Sequence, residues 1–135
     1  PEAMDSLLGA ADFVILTTPE TPQTFELISA PQFKLMQPTA YFINIGRGNC
    51  SSLSDMTEAI EAKQIAGAGL DVFQLEPLPE DHPLWDMPGV LITPHAAING
   101  AAYLNERRLG ILVENCRRFD RGEDLMYVVD KANWF

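Results

Sequence analysis

Arg47, Glu76 and His95 are the residues whose types and positions could do chemistry, and each follows a short apolar run. Ala40-Tyr41-Phe42-Ile43-Asn44-Ile45 leads into Gly46-Arg47-Gly48, Ala66-Gly67-Ala68-Gly69-Leu70 into Asp71 and then Glu76, and Val90-Leu91-Ile92-Thr93 into Pro94-His95. An arginine between two glycines can aim its planar fork outward and bind a carboxylate or polarised carbonyl at two points, or it can be a surface residue of a glycine turn. A histidine just past a strand can act as acid or base near neutral pH, or it can be satisfied by packing at the strand end. Taken singly, Glu76 in Glu76-Pro77-Leu78-Pro79 reads as a solvated loop carboxylate; set beside His95, its charge favours the imidazolium and makes a better proton donor. Asp71 could accept from an amide or hydroxyl of a ligand, or serve as a strand-terminal or helix-capping carboxylate. Thr17, Thr18 and Thr24 could donate to phosphate, although turn hydroxyls usually bond their own backbone. His82 reads as exposed, and two histidines without a cysteine cluster support no metal site.

Side chains from three separate runs meet only if those runs are parallel strands with a common carboxyl edge. Residues 13–16, Phe-Val-Ile-Leu, form a further strand, and the unbroken apolar run predicts burial on both faces. Helices are predicted at 2–9, at 30–36 behind Ser29, from Ser52 or Ser54 to about Lys63, and at 101–120. Leu53, Met56, Ala59 and Ile60 give the third of these a packing face. Gly67 and Gly69 suggest that a helix or ligand approaches their strand closely. The loop at 74–88 carries four prolines and one apolar anchor, Trp85. The last helix bears Leu109, Leu112, Val113 and Cys116 at i, i+3, i+4 and i+7, and the tail to Phe135 carries Tyr127, Val128, Val129, Trp134 and Phe135. That tail is too apolar to dangle freely, and with the helix it hints at a partner surface outside this chain. Strands alternating with helices, without a hairpin signal, imply right-handed crossovers and an open parallel sheet.

The 135 residues, 47% hydrophobic, suffice for one globular domain. A formal charge of -10 repels a phosphate backbone and argues against nucleic acid as a partner. The apolar runs fall short of the roughly 18 residues that cross a bilayer, and no export signal opens the chain, so a membrane is no expected partner. Cys50 and Cys116 read as free thiols in a reducing cytoplasm. The chain starts at Pro1 without an initiator Met and with a helix already under way, which reads as the later part of a longer protein.

Five motifs taken in order resemble the D-isomer-specific 2-hydroxyacid dehydrogenases, and within them the glyoxylate/hydroxypyruvate reductase type. They are Thr18-Pro19-Glu20-Thr21, Asn44-Ile45-Gly46-Arg47-Gly48, Gly69-Leu70-Asp71-Val72-Phe73 with Glu76-Pro77-Leu78-Pro79, His82-Pro83-Leu84-Trp85, and Ile92-Thr93-Pro94-His95. The resemblance implies an α/β fold, the second half of a Rossmann-type doubly wound parallel sheet ending in a long helix and tail. It divides the chain into a partial dinucleotide-binding domain at 1–100 and a helix and tail at 101–135 that pack on a substrate domain. It implies a hydride transfer between NAD or NADP and a small 2-keto or 2-hydroxy acid. Arg47 would orient the substrate carboxylate and keto oxygen, His95 would protonate the alkoxide, and Glu76 would hold and charge that histidine. Thr18, Pro19, Ile45 and Asp71 would lie along the cofactor, with Asp71 on the carboxamide side.

The family is usually a homodimer, and some relatives are non-catalytic, nicotinamide-sensing corepressors, which makes the alternative reading. Residues 22–26 depart from the common family form, so Thr24 receives no assigned contact. No Gly-x-Gly-x-x-Gly occurs, since Gly46-Arg47-Gly48 and Gly67-Ala68-Gly69 lack the third glycine. The phosphate loop and the residue that separates NAD from NADP are therefore expected upstream of Pro1. The chain alone is expected to be inactive and to bind NADH very weakly.

Overall fold

Four short parallel strands, β1 (Phe13–Leu16), β2 (Tyr41–Asn44), β3 (Gly67–Leu70) and β4 (Val90–Ile92), form one sheet in the order β1-β2-β3-β4. The computed structural model describes residues 2–97 and 102–132. Leu16, Asn44, Leu70 and Ile92 stand level in register, so all four strands end on one line. The ladder runs one residue further, with Ile45 N donating to Leu16 O, Asp71 N to Asn44 O and Thr93 N to Leu70 O. Whatever follows each strand is thereby delivered to a single edge.

The connections explain where the core lies. Helix α1 (Glu2–Leu8) precedes β1, and α2 (Ala30–Phe33) begins at Ser29, whose N–H and hydroxyl both donate to Gln32 Oε1. Pro31 suits the first turn of α2, which is shorter than its pattern suggested. Helix α3 (Leu53–Glu61) is capped by Ser52 Oγ, which accepts from Asp55 N, and it ends at Lys63, whose φ of 56° is a left-handed stop. Phe33, Met56, Ala59 and Ile60 pack with Phe42, Ala68 and Leu70 on one side of the sheet, and Phe33 meets Phe42 edge to face at 5.3 Å.

The opposite side is open among the described residues. Phe13 and Ile15 are 63% and 57% exposed, Leu91 is exposed, and Phe13 stacks on Tyr41 at 6.0 Å. The expectation that β1 is buried on both faces is therefore corrected: helices α2 and α3 cover only the face that Phe42 points into. The glycine-rich β3 is also explained differently. A Cβ on Gly67 would lie 2.1 Å from the Gly89 carbonyl oxygen, so the close approach there is that of the neighbouring chain segment, whereas one on Gly69 would meet only the Ile43 side chain at 3.6 Å.

The loop from β3 to β4 is anchored by Leu78 and Leu84. Leu84 is 1% exposed and Trp85 is 49% exposed, which corrects the assignment of Trp85 as anchor. The short 3-10 turn Pro83–Trp85 buries the leucine, while the Trp85 indole N–H donates to Pro79 O from the surface. Leu84→Ala is expected to destabilise by about 2–5 kcal/mol. Trp85→Phe should change the denaturation midpoint far less; equal shifts in urea unfolding would contradict this anchoring.

Residues 98–135 form a second compact unit, separate from residues 1–97. In it α4 (Ala102–Arg121) ends at Gly122 with φ 69°, and Asn115 exchanges two hydrogen bonds with the Met126 backbone. Leu109, Leu112 and Val113 are exposed, as are Tyr127, Val128 and Val129. Trp134, Phe135 and the predicted helix start at Ala101 lie outside the described residues. No helix among the described residues is long and apolar enough to cross a membrane.

Candidate active site

The carboxyl edge of the sheet collects the polar residues. His95 follows β4 by three positions, in a tight turn in which its own N–H donates to Thr93 O and its φ is 50°, a left-handed conformation uncommon for a side-chain-bearing residue. The turn is held by Asp71, directly after β3. Asp71 is buried; its Oδ1 accepts from the Thr93 hydroxyl at 2.6 Å and from Ala96 N at 2.8 Å, and its Oδ2 accepts from Ala97 N at 2.9 Å. Of the two roles considered for Asp71, capping of a following turn is the one these bonds describe, and Oδ2 retains spare acceptor capacity.

His95 Nδ1 lies 2.8 Å from Glu76 Oε2, and Phe73 N donates to Glu76 Oε1. The carboxylate thus has a partner on each oxygen. Because a carboxylate only accepts, Nδ1 carries the proton, and Nε2 has no partner among the described residues. The His95 bond is the main reason that the Glu76 carboxyl is held below the usual carboxylate range; burial opposes it, while the Phe73 amide and the His95 charge support it. Glu76 and His95, with Leu78, Trp85, Ile92 and Pro94, line an apolar cavity of about 540 Å³.

Asp71 follows the same logic in a different balance. Burial pushes its carboxyl up, but the Thr93 hydroxyl, the amides of Ala96 and Ala97 and the His95 charge outweigh that and hold it below the usual range. A folded value below the unfolded one contributes stability that is present above the unfolded value and is lost as pH falls through the folded value. Protection of the Ala96 and Ala97 amides from hydrogen exchange should therefore fall below about pH 4, before that of the sheet. A parallel decline of both sets would contradict this role for Asp71.

Arg47 sits at the same edge beyond β2. Its Nη1 donates to Gly46 O at 2.8 Å, and the rest of its exposed fork has no partner among the described residues. No hydrogen bond or ion pair joins it to Glu76 or His95; the structure brings that pair together and sets Arg47 at the end of β2. Both glycines beside it are obligatory. A Cβ on Gly46 would lie 2.9 Å from Thr18 O, and one on Gly48 would lie 1.9 Å from Phe73 O. The arginine turn is thus wedged between the segment after β1 and the segment that leads to Glu76.

Thr18, Pro19 and Ile45 occupy the ends of β1 and β2. Thr18 Oγ1 is buried without a hydrogen-bond partner, and Ile45 is exposed. Thr24 Oγ1 donates to Pro19 O at 2.7 Å and accepts from Thr21 N, so its hydroxyl serves its own turn. His82 is half-buried, not exposed as expected: its Nδ1 accepts from Leu84 N and caps the Pro83–Trp85 turn.

Sequence reasoning overlooked two residues that shape the edge. Gln74 Oε1 accepts from Leu53 N at 2.7 Å and its Nε2 donates to Glu26, tying the loop that carries Glu76 to the start of α3. Asn44 is fully buried at the end of β2 with its amide turned on the Arg47 turn. A polar residue inside the apolar run 40–45 was the available signal for Asn44; Gln74 offered none.

The model of the D-isomer specific 2-hydroxyacid dehydrogenase NAD binding domain matches residues 1–97. A glyoxylate/hydroxypyruvate reductase B from Pectobacterium carotovorum is 48% identical over 92 residues, which cover 68% of this chain and 29% of that protein. Among solved structures, a D-isomer specific 2-hydroxyacid dehydrogenase from Xanthobacter autotrophicus Py2 in complex with NADPH and MES superposes with a TM-score of 0.87 at 36% identity, covering 96% of this chain and 52% of that one. An NADPH-dependent glyoxylate/hydroxypyruvate reductase from Sinorhizobium meliloti, in complex with NADP and sulfate, superposes with a TM-score of 0.86 at 33% identity, covering 99% and 43%. The chain thus spans about half or less of the length of these relatives.

Proposed function

The chain belongs to the D-isomer specific 2-hydroxyacid dehydrogenases, through their NAD binding domain, and on that premise we propose that the full protein reduces a small 2-keto acid of the glyoxylate or hydroxypyruvate kind to the D-2-hydroxy acid. The observation that carries this reading is the 2.8 Å contact between Glu76 and His95 at the strand ends, with Nε2 left free. Arg47 binds the substrate carboxylate through the unpartnered side of its fork and orients the keto oxygen. His95, protonated, donates the Nε2 proton to that oxygen as it gains charge, and Glu76 keeps the ring oriented and stabilises the imidazolium.

Bound NADH or NADPH supplies the hydride. Thr18, Pro19, Ile45 and Asp71 are the residues that would hold the nicotinamide nucleotide, and two features fit that role. The orphaned Thr18 hydroxyl lacks a partner after β1, and Asp71 Oδ2 can accept one more hydrogen bond after β3. The reading extends to a cytoplasmic homodimer, which light scattering of the full protein would check.

Oxidation of NADH and NADPH followed at their absorbance band, with glyoxylate and hydroxypyruvate, tests the assignment. Turnover with either acid is the expected result. Cofactor binding without turnover of any 2-keto acid would overturn it in favour of a nicotinamide sensor.

A further inference from the structure

We propose that Asn44 is the positioning residue of Arg47, holding the turn after β2 in the form that presents the guanidinium to a substrate carboxylate; this deepens the role given to Arg47 above and rests on it. Asn44 is 0% exposed and stands in register with Leu16 and Leu70, at a level of the sheet where a leucine would satisfy packing alone. A buried amide there is costly unless every polar atom is bonded, and each one is. Oδ1 accepts from Gly46 N at 3.0 Å; Nδ2 donates to Arg47 O at 3.1 Å and to Ser51 Oγ at 3.1 Å. One side chain therefore takes hold of the turn before, at and after the arginine.

Flanking glycines make such a hold necessary. Gly46 and Gly48 are required because neighbouring backbone leaves no room for a Cβ, yet glycines impose no conformation of their own. Arg47 has extended dihedrals, φ -135° and ψ 140°, one of several conformations open to a residue between two glycines. Cys50 N also donates to Arg47 O, at 3.1 Å, and the Asn44 amide adds a side-chain restraint from the rigid end of a central strand.

Steady-state kinetics of the full protein with glyoxylate and NADPH, for Asn44→Leu and Asn44→Ser, tests this. Asn44→Leu should raise the glyoxylate KM by about tenfold or more, the scale of losing bonds to a buried turn. The NADPH KM should stay within about twofold, because Ile45 on the cofactor side is held by its own N–H donating to Leu16 O and not by the Asn44 amide. Asn44→Ser, which can still accept from Gly46 N, should fall between Asn44→Leu and wild type. In an Arg47→Gln background Asn44→Leu should add nothing to the glyoxylate KM, since the residue acts through the arginine. Equal increases in both backgrounds, or an equal rise in the NADPH KM, would overturn the proposal.

Hydrogen exchange decides the point without turnover. The amide of Gly46, which donates to Asn44 Oδ1, should lose protection in Asn44→Leu while those of β3 keep theirs. Unchanged protection at Gly46 overturns the inference even if the enzyme is active; a wild-type protein that reduces no 2-keto acid overturns the proposed function instead, and the exchange result still stands on its own.

Discussion

On the proposed function, Asn in place of His95 in the full protein is expected to lower kcat for glyoxylate or hydroxypyruvate by about 10²–10⁴-fold, the contribution of a well-placed general acid. The choice of asparagine follows from the backbone. His95 adopts φ 50°, a region that asparagine tolerates better than most residues, so the variant removes the transferable proton without forcing the Thr93–Ala97 turn open. Asp71 should go on binding the Thr93 hydroxyl and the Ala96 and Ala97 amides. The KM for NADH or NADPH should accordingly change little. Wild-type kcat in His95→Asn would remove the histidine from the mechanism, whereas a loss of kcat matched by loss of cofactor binding would point to a collapsed turn.

The second large effect is expected at Gly48, a residue that carries no chemistry. A methyl group there would lie 1.9 Å from Phe73 O, 2.1 Å from Phe73 C and 2.7 Å from Gln74 N, all of them backbone atoms that cannot swing aside. Gly48→Ala must therefore push the arginine turn away from the segment whose Phe73 amide binds Glu76. Displacements of about 1 Å within a reacting constellation cost about 10²-fold, so kcat/KM should fall by at least about that factor. Gly110 is the control: nothing lies within 4 Å of a Cβ at that helical position, and Gly110→Ala should leave kcat/KM unchanged while stabilising α4 by up to about 1 kcal/mol. A Gly48→Ala enzyme as active as Gly110→Ala would show that the two loops need not touch.

The strand ends were legible because a parallel strand advertises itself as an apolar run and hands over to whatever follows it. The apolar runs alone place Arg47, Asp71, Glu76 and His95 at one edge, and the structure adds that Glu76 and His95 touch. Tertiary placement was not legible. The identity of the loop anchor depended on which way a short turn faces, and the proline-rich pattern drew attention to Trp85 where Leu84 is the residue inside. Asn44 and Gln74 act through amide contacts to distant backbone, which leave no periodic trace. The apolar run of β1 predicted two covered faces because hydrophobicity states what a residue can bury, not what is present to bury it.

The open side of the sheet has a measurable signature. Every connection between strands packs on the Phe42 side, so in this 135-residue chain tolerance to polar substitution should alternate along β1: high at Phe13 and Ile15, low at Val14 and Leu16. A mutational scan read as a two-residue wave would register a sheet with one side in water. A flat, uniformly intolerant profile, obtained in whatever length of polypeptide the cell makes, would register something lying across Phe13, Ile15 and Leu91. The rhythm of permitted substitutions, which needs no structure to record, thus reports whether the bare side of the sheet has a cover.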